Sequence, residues 1–189
     1  MLLYHVGFNV IENPDLLIGR KNADFGQGFY LSSDLDFSKK WARLREKQDT
    51  IINYYSLDIN DLKILNFKER NNVWLNYIFK NRNGYGDIYK DYDVIIGPIA
   101  NDTIFDLYGI LTSGFINNET ALKILNNDPL YYQIVIKSEK AKSQLKFLKY
   151  EIIDKEIIKN SIEEVKKMEE DYQNLMFSLL DDNVKDILS

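Results

Sequence analysis

The chain of 189 residues contains no cysteine. Disulfides, thiolate zinc sites and a cysteine nucleophile are therefore excluded. Histidine occurs once, at His5, so a histidine-rich metal site is excluded too, and no metal is expected. A serine hydrolase triad would have to use His5, and no G-x-S-x-G turn accompanies it. No apolar run approaches the roughly 18 residues of a membrane span. The first residues lack the basic-then-apolar pattern of a secretory signal, so a cytoplasmic protein without membrane association is expected. Concentrated positive charge is also missing. The net charge is −5; residues 150–189 carry 11 acidic and 5 basic side chains, which leaves 18 and 19 in the body. An extended DNA-binding surface would need clustered basic residues, although a small nucleic-acid substrate stays open.

What is present is a large apolar and aromatic complement: 45% hydrophobic residues, with 13 Tyr, 10 Phe and 2 Trp. One domain with a substantial core is expected. Short β-rich runs at 2–8, 29–32, 50–59, 92–99, 131–137 and 145–153 read as strands. Helices are predicted from Ser33 or Asp34 to about Gln48, over 69–81, and near 103–112 and 118–127. A short helix or turn is expected at "SEKAKSQ". Residues 9–28, with Pro14 and several glycines, read as loop. From Asp154 the spacing of Ile158, Ile162, Val165, Tyr172, Leu175, Met176 and Leu179 predicts a long amphipathic helix, with a break at 181–183. The expected class is α+β, with a body over 1–153 and a helical extension over 154–189 packed on it. That acidic extension lays its apolar stripe on the body, or else its negative charge shields a neutral-to-basic active face or docks a partner.

Two stretches carry the functional reading. "LYHVG" places His5 inside the first strand. Alone, it reads as a core histidine with a satisfied hydrogen bond. "DFGQGFYLSSDLDFSKKWA" places two glycines before an aromatic strand, where the backbone turns sharply and can approach a ligand closely. Ser38 and Trp41 lie 8 and 11 residues beyond Tyr30.

In order and spacing these residues resemble the ADP-ribosyltransferases of the histidine-tyrosine-glutamate class, which includes diphtheria toxin and the poly(ADP-ribose) polymerases. The resemblance implies split β-sheets around an NAD cleft, with peripheral helices and a long C-terminal helix outside the matched region. It implies that His5 bonds a ribose hydroxyl, that the Val6 backbone pairs with the nicotinamide carboxamide, and that Tyr30 and Trp41 sandwich the nicotinamide ring. Ser38 falls on the hydroxyl position, and Gly28 would let the ring lie close to the strand. The third motif residue should be a glutamate on a late strand, and Gln133 stands there. Gln133 can bond the ribose 2′-hydroxyl but brings no charge, which favours mono-ADP-ribosyl transfer over polymer synthesis. It also reads as an ordinary strand polar residue. A glutamate in its place would be expected to restore the charge and raise nicotinamide release. Asp102 is a candidate for the missing charge or for activating an acceptor, while Asn101 or Asp102 equally suits a helix cap. Asp24 either fixes its loop or touches the ligand.

"LYHVG", "DFGQGFYLSS", "WLNYIFKNR", "YDVIIGPIANDT" and "QIVI" further resemble a bacterial family grouped with these transferases, over roughly residues 1–150. Its members often lie beside a small antitoxin-like partner. The implied activity is NAD-dependent mono-ADP-ribosyl transfer to an unidentified macromolecular acceptor, in a toxin–antitoxin setting. The alternatives are an NAD glycohydrolase and a catalytically inactive module that binds NAD or ADP-ribose.

Overall fold

The computed structural model describes residues 1–100, 117–126 and 129–188. The predicted helix near 103–112, together with Asn101 and Asp102, lies outside the described residues. In chain order the elements are β1 (Leu2–Gly7), β2 (Phe29–Leu31), α1 (Leu35–Lys40), β3 (Ile51–Leu57), β4 (Ile64–Asn66) and α2 (Asn72–Arg82). They continue with β5 (Val94–Pro98), α3 (Asn118–Leu125), β6 (Tyr132–Ile136), α4 (Glu139–Ser143), β7 (Leu145–Ile152) and α5 (Lys155–Leu188). The protein is α+β, with two sheets and a long C-terminal helix.

One sheet is antiparallel, in the order β1-β3-β7; the other runs β2-β6-β5-β4, with β4 parallel to β5. Side-chain alternation sorts the core into three layers. Leu3, Tyr55 and Leu57 of the first sheet meet Phe29, Leu31, Ile134 and Ile136 of the second, so these faces pack on each other. The opposite face of the second sheet, with Ile95 and Val135, is covered by Trp74, Tyr77 and Ile78 of α2 and by Leu125 of α3. The outer face of the first sheet, with Tyr4, Ile52 and Tyr54, is covered by α1 and by the start of α5 through Ile158 and Ile162.

Three expectations change. First, α1 begins at its predicted cap, where Asp34 Oδ1 accepts from the Phe37 N–H at 2.9 Å, but it stops at Lys40. The apolar spacing continues to Leu44, yet the Thr50 hydroxyl donates to the Arg43 carbonyl at 2.6 Å and draws the chain back toward β3. Lys47 makes the turn with φ of 65°, and Leu44 is left exposed. Second, Val73 falls at the spacing of the buried face of α2 but is exposed; Trp74, Leu75, Tyr77 and Ile78 are buried there. Third, α5 runs through 181–183 without a break. The three-residue strand β4 carries no sequence signal, because "ILN" is too short to show a period.

Candidate active site

Besides packing face to face, the two sheets are joined among the described residues by one backbone pair. Tyr4 N–H donates to the Ser32 carbonyl at 2.8 Å, and Ser32 N–H donates to the Tyr4 carbonyl at 2.9 Å. Continuing that antiparallel register would set Val6 opposite Tyr30. Instead the strands separate, and the His5 ring spans the gap, with its Nδ1 2.8 Å from the Tyr30 carbonyl oxygen. Tyr4 turns both its backbone groups to this edge, so Val6, two residues on, does the same. Among the described residues Val6 has no backbone partner there. The result is a wedge with an open amide edge on one lip and the β2 strand on the other.

The Nδ1 contact gives the half-buried His5 ring the satisfied hydrogen bond of the core-histidine reading. A carbonyl only accepts, so Nδ1 carries the proton and Nε2 presents a lone pair. Burial pushes the His5 pKa below its ordinary value of 6.5, against the upward pull of the Tyr30 carbonyl, so the imidazole is neutral at neutral pH. Phe29 packs against the ring, with centroids 4.6 Å apart.

On the β1 lip, Trp41 joins Val6, Gly7, Phe8, Arg43 and Thr50 around a cavity of about 240 Å³. The Trp41 indole N–H is buried without a hydrogen-bond partner among the described residues. An unpaired buried donor costs on the order of 1–3 kcal/mol, which a ligand acceptor would recover. Ser38, one turn earlier, spends its hydroxyl on the Asp34 carbonyl at 2.7 Å.

On the β2 lip, Tyr30 and Gln133 share one face of the second sheet, because Tyr30 pairs with Val135 and Gln133 lies two residues away. The Tyr30 hydroxyl donates to the Gly26 carbonyl at 2.7 Å and accepts from the Phe25 N–H at 3.0 Å. It thus clasps the glycine loop that precedes its own strand. Burial pushes the Tyr30 pKa far up, and Asp24 and Asp87 add to this, so the phenol stays un-ionised. Gly28 has a packing reason of its own: a Cβ there would stand 2.5 Å from the Ile136 carbonyl oxygen and 2.7 Å from Val135 Cγ1.

Asp24 does fix its loop. Its Oδ1 accepts from Arg82 Nε at 2.9 Å and Nη2 at 2.7 Å, and Asn81 Nδ2 donates to the Asp24 carbonyl at 2.8 Å. Its other oxygen, Oδ2, faces Gln133 Nε2 at 3.5 Å. Just behind, Lys137 is ion-paired with Asp87 and donates to the Phe25 carbonyl, and Tyr77 donates to Asp87 at 2.7 Å. Sequence reading missed Arg82, Asp87 and Lys137. Their partners lie 10 to 112 residues away, and no local spacing signals them.

The structure thus places Trp41 with Val6 around the cavity at the end of β1, His5 on the Tyr30 carbonyl, and Gln133 against Asp24 on the Tyr30 face of the second sheet. Among the described residues no cluster of metal-binding side chains occurs, and no helix is long and apolar enough to cross a membrane. No curated protein matches the chain. Residues 1–147 match the family described as "Protein of unknown function (DUF3990)", and the chain belongs to that family.

Proposed function

We propose that the protein is an NAD-dependent mono-ADP-ribosyltransferase, with the ADP-ribosyltransferase arrangement of split sheets around an NAD cleft. The observation that carries this reading is the wedge between β1 and β2. It combines a main-chain edge at Val6 with no backbone partner toward β2 among the described residues, the Nε2 lone pair of a neutral His5, and the buried, unpartnered indole N–H of Trp41, a residue that lines the cavity beside Val6. A primary carboxamide needs one donor and one acceptor side by side, and Val6 offers both from one residue. A pyridinium ring is attracted to aromatic faces. His5 Nε2 accepts from a ribose hydroxyl. The ring–ribose bond then breaks with its electron pair passing to the nicotinamide nitrogen. Positive charge develops on the ribose, beside the Gln133 side chain, and an acceptor nucleophile bonds to the exposed carbon and releases its proton. Holding the dinucleotide and the acceptor in register supplies much of the acceleration.

Transfer, not polymer growth, suits the neutral amide at 133. The toxin role and the antitoxin partner rest on the sequence resemblance alone; induced expression that leaves growth unaffected would count against them. For the chemistry, the protein is incubated with NAD labelled in its adenylate half, with and without cell extract and nuclease. Nicotinamide release together with label on a macromolecule is the expected result. Release without label points to hydrolysis. NAD binding without release points to the inactive module.

A further inference from the structure

The site has an amide where the resemblance calls for a carboxylate, and a carboxylate lies against that amide. Asp24 Oδ1 is held by two Arg82 donors, while Oδ2 meets Gln133 Nε2 at 3.5 Å. An ionised carboxylate can only accept, so it selects the orientation of the Gln133 amide. Nε2 faces Asp24, and Oε1 turns the other way. The Asp24 side chain is 20% exposed and that of Arg82 14%, so the arrangement is shielded from bulk water without being sealed from a ligand.

Resting on the ADP-ribosyl reading, we infer that Asp24 is the positioning residue that lets Gln133 act as the missing glutamate. The two functions of one glutamate are divided between two residues. Gln133 Oε1 accepts from the ribose 2′-hydroxyl, and Asp24 holds that oxygen in place and supplies the negative charge one amide away. Without Asp24 the amide flips freely and can present a donor to the hydroxyl, and the anion beside the developing ribose cation is gone. No proton or covalent bond moves between Asp24 and Gln133; the effect is orientation and field.

Asp24→Asn is the direct test, because an asparagine keeps an oxygen for Arg82 and so spares the loop. Nicotinamide release from NAD, alone and with cell extract, should fall in turnover rate by roughly tenfold or more, with little change in the NAD concentration for half-saturation. Combining Asp24→Asn with Gln133→Glu moves the carboxylate to the strand and an amide to the loop, and should recover most of the lost rate. Melting temperatures are measured alongside. Full turnover in Asp24→Asn overturns the inference. Loss in the single variant without recovery in the double variant also overturns it, since Asp24 is then an anchor for Arg82 alone. The failure of the underlying reading is separable: wild type that releases no nicotinamide in either condition ends both.

Discussion

Removing one oxygen atom from Tyr30 isolates the clasp that holds the glycine loop against the second sheet. Tyr30→Phe keeps the ring and its apolar packing. It deletes one donor, to the Gly26 carbonyl at 2.7 Å, and one acceptor, for the Phe25 N–H at 3.0 Å. Phe25 is fully buried, and its ring packs on Phe67 and Tyr77, so its amide cannot simply turn toward water. Leaving a buried backbone donor unpaired costs about 1–3 kcal/mol, and the orphaned Gly26 carbonyl adds to it. The expected total is about 3 kcal/mol. For a chain of this size that corresponds to a fall of roughly 6–12 °C in melting temperature. Urea unfolding followed by tryptophan fluorescence is suitable, because Trp74 is completely buried and reports on this layer. The midpoint should drop with the slope unchanged. An exposed hydroxyl would cost under about 0.5 kcal/mol. A loss below about 1 kcal/mol, the low end of that penalty, would therefore show that the Tyr30 hydroxyl does not clasp the loop.

Other outcomes follow from the same geometry. Gly28→Ala pushes a Cβ to 2.5 Å from a backbone oxygen of β6, so it should cost several kcal/mol or abolish soluble folding; a wild-type urea midpoint would refute the close approach. Asn53→Ala strands the Ile11 N–H and the Asn9 carbonyl, and should accelerate hydrogen exchange at 9–11 while the β3 amides stay protected. Desolvation lowers the folded pKa of the half-buried His5 below 6.5, so around and below that pH the unfolded chain binds the proton more readily than the folded chain. Stability should decline as pH falls through and below 6.5, and His5→Asn should lose that component of the slope; identical profiles would refute it.

Apolar, β-branched and aromatic runs made most strands visible, and β1, β3, β5 and β6 bury such residues, whereas β7 buries only Leu145. The "SDLDF" cap was legible for the same local reason: an aspartate before an apolar helix start satisfies free N–H groups. The end of α1 was not legible, because it is set by Thr50 reaching Arg43 across a turn. Gly97 lies inside β5 for a packing reason that sequence does not show: a Cβ there would stand 2.7 Å from the Phe25 ring, which fills the space. His5, Tyr30, Ser38 and Trp41 were singled out through the order and spacing in which they resemble the transferase motif. The pairing of Asp24 with Gln133 could not, because it spans 109 residues and depends on how the loop at 23–28 folds over β6. Likewise the hydrogen bonds of the Tyr30 hydroxyl to Gly26 and Phe25 depend on the fold of that loop.

Gln133→Glu no longer looks like a simple gain. In sequence terms it restores a charge that the site lacks. In the structure the new carboxylate would meet Asp24 Oδ2, which lies 3.5 Å from the present amide nitrogen. Two unit charges at that distance repel by roughly 5 kcal/mol at an effective dielectric of about 20, before Arg82 offsets part of it. The cheaper response is for the introduced carboxyl to keep its proton, so its pKa is raised. A carboxyl whose folded pKa lies above its unfolded value stabilises the fold below that unfolded value. The advantage disappears as pH rises through the folded pKa. Gln133→Glu should therefore unfold more easily at about pH 8 than at about pH 5, relative to wild type at each pH. Adding Asp24→Asn removes the second charge and should abolish this difference. Urea midpoints of the three proteins at both pH values decide the matter without any ligand. If Gln133→Glu keeps the wild-type pH profile, residue 133 and Asp24 do not face each other, and the carboxylate serving the ribose must be sought elsewhere on the chain.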